Sequence, residues 1–260
     1  MEVTILDENA SAITKKTAVF SAYGLKLIAL ATMLLDHTGV IILGRCLLSP
    51  TVYAEIGSPP SLLILYVILR VIGRLSYPIF SFLLVEGFLK TKSVGKYLLR
   101  LGIFAIISEI PFDFSVFGVP LEFSYQNNII TLFISLLMLI CMKKTGDKWY
   151  FSIPIAAAAA GLTELLHTDY AITIPVLVAA FYIFRNVDLY KSIACCAIIV
   201  ANSFQSYPPY CTVAGLLSLC LIIFGYNGTQ GKKLGIKVYA FYPVHLAILG
   251  IIAFLILHFR

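Results

Sequence analysis

The feature that most restricts how this chain can fold is the length of its apolar runs. Leu25–Gly44, Leu62–Phe88 and Tyr239–Leu257 each stay apolar about as long as the roughly 20 residues a helix needs to cross a bilayer. In lipid only helices and closed barrels satisfy their own backbone hydrogen bonds, and barrel strands are alternating segments of about ten residues. The runs here are longer and do not alternate, so the expected fold is all-α: a polytopic transmembrane helical bundle. Composition agrees, since 60% of the 260 residues are hydrophobic and 12% charged, against about a quarter charged in soluble domains.

Further runs at Leu99–Phe117, Asn128–Cys141, Tyr150–Leu165, Tyr170–Phe184, Leu189–Asn202 and Cys211–Gly225 bring the expectation to 9–10 spans. The range reflects the long second run, in which Ser61–Arg70 can be a separate short or re-entrant segment. No linker or internal repeat divides the chain, so residues 24–260 read as a single transmembrane domain behind an N-terminal segment, 1–23. That segment lacks the pattern of a cleaved signal peptide. Six cysteines form no CxxC pair and have no histidine at ligand spacing, so no metal is expected.

The net charge of +6 falls in short connections rather than in a basic, aromatic-rich domain, which argues against nucleic acid. With the N-terminus cytoplasmic, one side collects Lys15, Lys16, Lys90, Lys92, Lys96, Arg100, Lys143, Lys144, Lys148, Arg185, Lys191, Lys232, Lys233 and Lys237. The other side holds Arg45 and Arg260. The positive-inside rule therefore sets the orientation, and the expected location is the bacterial inner membrane.

Charges inside spans are costly and need a partner, a water-filled cavity or a chemical role. The first span carries Lys26, Asp36 and His37, the second Arg70, Arg74 and Glu86, the third Glu109 and Asp113, and the last His245. Lys26 and His37 lie eleven residues apart, which puts them on one helix face about 16 Å apart. That spacing suits an anion at the cytoplasmic mouth and a histidine acting as base near mid-membrane. Asp36, about 100° around the helix, faces another helix and can pair with Arg74. The plain structural reading makes Asp36 and His37, and still more His245, polar contacts between helices. Pro78 inside the second span frees a carbonyl and permits a bend.

Lys90, Lys92, Lys96 and Arg100 form a basic cluster that can meet lipid phosphates or a nucleotide's phosphates, and Phe104 sits one turn beyond Arg100. At the opposite end Glu109, Asp113, Gln126 and Asn127 are close in sequence. Helix capping accounts for part of that cluster, and recognition of an amine-bearing acceptor is the functional alternative. Glu164, His167 and Asp169 read as a solvated outer loop.

Together these segments resemble the TraX family. The resemblance rests on Leu25-Lys26 through Asp36-His37-Thr-Gly39, Arg70-Val-Ile-Gly-Arg74, Tyr77-Pro78-Ile-Phe80, Val85-Glu86-Gly87-Phe88, Ser108-Glu109-Ile-Pro111-Phe-Asp113 and Gln126-Asn127. It implies a membrane acetylase of the pilin N-acetylase type, related to the bacterial acyltransferase-3 superfamily and using acetyl-CoA as co-substrate. It implies His37 as base, in register with Lys26, and Arg100 with Phe104 at the donor; on that reading Asp36 orients the base or balances charge around it, Arg74 is the candidate stabiliser of the oxyanion, and Lys26 and Lys96 join Arg100 in holding the donor phosphates. Glu86, Glu109, Asp113, Gln126, Asn127 and His245 fall to the acceptor, which can be a peptide N-terminus, an amino sugar or a glycan. Where the larger group usually has Ser-Gly, this chain has Glu86-Gly87. The alternatives are a transporter of a small anionic solute and a non-catalytic assembly factor.

Overall fold

The structure, a computed structural model, describes residues 19–47, 60–206 and 210–259, without the side chains of 203–206 and 210. Most of the N-terminal segment, with Lys15 and Lys16, lies outside the described residues, as does Arg260. Ten α-helices are described and no extended strand. These are α1 (Ala22–His37), α2 (Pro60–Gly73), α3 (Ser76–Lys90), α4 (Val94–Val116) and α5 (Asn128–Lys144), then α6 (Trp149–Leu165), α7 (Thr173–Ile183), α8 (Asp188–Ser206), α9 (Tyr210–Ile223) and α10 (Lys237–His258).

The distribution of polarity is that of a membrane bundle. Isoleucines on α4 point outward, Ile106 being 78% exposed, while Ser108, Asp113, Asn127 and His245 are buried. Val244, Ile248 and Ile251 continue the outward apolar surface on α10. Three helical stretches, Ala22–Leu47, Pro60–Lys90 and Lys237–His258, are long and apolar enough to cross a bilayer, and α7 and α9 contribute shorter apolar helices. At the centre, α3 and α7 pack together and are buried on nearly all sides, as their lack of a polar face requires. α10 lies along α4 and also meets α1 and its continuation.

Two local departures from straight α-helix place the site. Directly after His37, α1 widens into π-helical turns over Thr38–Leu47, with Cys46 Sγ donating to the Ile41 carbonyl at 3.3 Å, five residues back. Wider turns of this kind redirect side chains and often mark functional positions.

The second departure splits the long run expected at Leu62–Phe88. α2 ends at Gly73 and α3 begins at Ser76, with the Ser76 hydroxyl donating to the Gly73 carbonyl at 2.8 Å. The split also changes the reading of Pro78. It stands in the first turn of α3, where an N–H has no intrahelical partner in any case, rather than in a helix interior.

One end of the bundle is tied by Phe20, whose N–H donates to Gly225 and whose carbonyl accepts from Asn227. Lys90 joins it through the Gly228 carbonyl at 2.7 Å. Lys143 lies over Phe88 at this end. At the other end Arg45 donates to the carbonyls of Phe114 and Ser115, and Gln126 pairs with the loop at His167.

Candidate functional site

A cavity of about 490 Å³ enters the bundle at the Lys90 end. Its mouth carries Lys26, Lys90, Lys92, Arg100 and Lys233, drawn from α1, the end of α3, the α3–α4 connection, α4 and the segment before α10. No carboxylate lines it, and although Glu86 pairs with Lys90 beside it, the other four cations leave the mouth with an excess of positive charge suited to a polyanion. Below the ring the wall is apolar, with Leu30, Met33, Leu83, Leu84 and Leu132. Asn128 and Tyr242 line its far part.

Beyond Tyr242 stand two histidines. The Tyr242 ring is edge-on to His37 and to His245, with centroids 5.8 and 5.7 Å away. His37 Nδ1 and His245 Nε2 are 2.6 Å apart, and His245 Nδ1 lies 2.7 Å from the Phe241 carbonyl oxygen. A carbonyl only accepts, so His245 carries its proton on Nδ1 and, when neutral, a lone pair on Nε2. His37 must then donate from Nδ1, which leaves its own lone pair on Nε2. This tautomer assignment follows from the network alone. It gives His37 the protonation pattern of a general base held by a second histidine.

Asp36 faces away from this pair. Its carboxylate meets Arg70 at 2.8 Å and Arg74 at 3.3 Å, and the Arg74 guanidinium also donates to the Tyr170 hydroxyl. The pairing with Arg74 expected from helix geometry is present, with Arg70 as a closer partner. Gly73 makes the approach possible, since a Cβ there would collide with the Asp36 side chain. Tyr170 stacks on Tyr77, ring centroids 4.6 Å apart, so the arginines, Asp36 and the α6–α7 loop close the bundle on the side away from the cationic mouth.

Among the donor residues expected from sequence, Lys26 and Arg100 line the cavity, whereas Lys96 and Phe104 do not. Lys96 is exposed, and its carbonyl accepts from Arg100 Nε at 3.1 Å. Phe104 stacks on Tyr239, which does line the cavity. Lys90 and Lys92 in the lining belong to the basic cluster legible after α3, whereas Lys233 and Asn128 come from distant segments that no local pattern links to it.

The acceptor group divides. Glu86 is bound to Lys90 at 2.5 Å and accepts from the Tyr226 hydroxyl at 2.6 Å. Burial, reinforced by that hydrogen bond, pushes Tyr226 up to about 12. Glu86 therefore sits beside the mouth of the cavity, at the end opposite Glu109 and Asp113.

Asn127 caps α5 through Ile129 and donates to Glu109 and the Ala105 carbonyl. Asp113 accepts from the Glu122 N–H at 2.8 Å, and Gln126 donates to the Phe123 carbonyl at 3.0 Å. Capping thus explains Asn127. Glu109 Oε1 and Asp113 Oδ1 nevertheless remain buried without a hydrogen-bond partner among the described residues.

Asp169 belongs to the closed end rather than to a freely solvated loop. It accepts from the Tyr125 hydroxyl at 2.9 Å, and burial raises its carboxyl above the usual carboxylate range. Glu164 and His167 are exposed, as a solvated loop implies. No group of three or more metal-ligating side chains occurs among the described residues.

The chain matches the family model described as "TraX protein" over residues 21–253. It is 29% identical over 248 residues to "Probable fimbrial assembly protein FimC, serogroup H1" of Dichelobacter nodosus, covering 88% of this chain and 94% of the relative. No solved structure matches it.

Proposed function

The chain belongs to the TraX family, and on that premise we propose that it is an integral membrane acetyltransferase carrying an acetyl group from cytoplasmic acetyl-CoA to an amine or hydroxyl of a peptide or glycan. The observation that carries this reading is a cationic-mouthed cavity whose apolar shaft runs to Tyr242, with a hydrogen-bonded histidine pair directly behind it. The mouth matches a donor with several phosphates, and the shaft matches an uncharged arm ending in a thioester. Lys26, Lys90, Lys92, Arg100 and Lys233 would hold the phosphates, with Lys96 and Phe104 setting the positions of Arg100 and Tyr239. His37 would take the acceptor's proton at Nε2 while His245 holds its ring. Glu109 and Asp113, buried with unused acceptor oxygens, fit an acceptor that carries an amine.

A second reading, a non-catalytic assembly factor, is favoured by the similarity to a protein named as a probable fimbrial assembly protein. The transporter reading draws no support from the closed end formed by Asp36, Arg70, Arg74 and Tyr170.

Purified protein incubated with labelled acetyl-CoA and native membrane extract should transfer label to an extract component. Arg100→Ala should weaken acetyl-CoA binding by roughly 1.5 to 3 kcal/mol, as expected for loss of a direct charged contact. An assembly factor predicts neither transfer nor acetyl-CoA affinity, and that result would replace the first reading by the second.

A further inference from the structure

Attack on a thioester needs more than a base. As the new bond forms, the carbonyl oxygen gathers negative charge, and a donor already in place where that charge develops is usually the largest single source of rate. The sequence assigns this role to Arg74, but its guanidinium is engaged with Asp36 and the Tyr170 hydroxyl and does not line the cavity.

Tyr242 lines the cavity and is 5% exposed. Its hydroxyl is buried with no partner of good hydrogen-bond geometry among the described residues, and the backbone of Asn128 lies beside it. Asn128 opens α5, so the positive end of that helix points into the same place. A buried hydroxyl without an acceptor is costly unless a ligand supplies one. Here the donor stands on the cavity wall, one ring away from the candidate base.

We infer that the Tyr242 hydroxyl is the hydrogen-bond donor to the thioester oxygen, with the first turn of α5 at Asn128 supporting the charge. The inference rests on the acyl-transfer reading above. His37 Nε2 takes the proton from the acceptor's N–H or O–H while the acceptor's lone pair bonds to the carbonyl carbon. The C=O π pair moves onto oxygen, where Tyr242 donates without giving up its proton. When that pair re-forms the carbonyl, the C–S bond breaks with its electrons on sulfur, and the thiolate takes the proton from His37. Tyr242 is therefore a catalytic residue that touches the reacting atoms, and His245 a positioning residue that acts through His37.

The test uses the full chain in detergent, labelled acetyl-CoA and native membrane extract, comparing wild type with Tyr242→Phe. Phenylalanine keeps the ring against both histidines and removes only the hydroxyl. Transfer turnover is expected to fall about 10²- to 10³-fold, the loss typical for one oxyanion donor, with the acetyl-CoA Kd within twofold of wild type and an equal or higher thermal midpoint. Turnover within threefold of wild type would overturn the assignment while leaving acyl transfer standing. A fall in turnover with a lowered midpoint or lost acetyl-CoA binding would overturn it in favour of a structural role. Absence of transfer by the wild type would remove the acyl-transfer reading and this inference with it.

Discussion

His37 is positioned by what its neighbour can accept. Because the Phe241 carbonyl fixes the proton on His245 Nδ1, the lone pair on His245 Nε2 fixes the proton on His37 Nδ1. His37→Gln and His37→Ala should therefore both lower transfer turnover by about 10²- to 10⁴-fold, the usual range for a general base, while acetyl-CoA still binds. Steady-state turnover set beside calorimetric affinity checks this, and near-normal turnover in a folded His37→Gln protein would remove the base assignment. His37 was legible in the sequence because Lys26 shares its helix face at a fixed distance. Its partner was not, because His245 lies 208 residues away and helical periodicity says nothing about contacts between helices. Asp36 was legible in direction through its angle from His37, yet Arg70 as its nearer partner emerged only when α2 stopped at Gly73.

The break between α2 and α3 is an element whose reason lies on another helix. Asp36 projects from α1 into the space a side chain at position 73 would occupy, so the chain needs glycine there to bring both arginines onto one carboxylate. Gly73→Ala should lower stability by about 1 to 3 kcal/mol, the usual cost of overfilling a packed contact. Thermal unfolding in detergent would measure it, and an unchanged midpoint would show that α2 can withdraw freely. The sequence supplied the apolar length of this region and allowed a separate Ser61–Arg70 segment. It did not supply the break itself, because Gly, Ser and Pro near a turn also occur in bent continuous helices. The π-helical turns after His37 carry no distinctive residue pattern and were not legible at all.

Across the whole molecule, the apolar runs and the uneven placement of lysine and arginine already contained the helical membrane bundle. The cavity was not contained in them, because its wall is assembled from α1, α3, α4, α5 and α10 and depends on how those helices pack. Orientation follows from charge and is open to direct test. A reporter fused after Lys148 should read cytoplasmic and one in the His167–Asp169 loop external, and reversed signals would overturn the charge argument. Tyr242 gives this arrangement its consequence. On the acyl-transfer reading proposed above, one aromatic ring stands between the cavity that would admit the thioester and the histidine pair that would meet the acceptor. The carrier then leaves through the entrance it used, and only two carbons and an oxygen go further. Such a protein hands a fragment across a barrier as an airlock passes a parcel, without either courier stepping through.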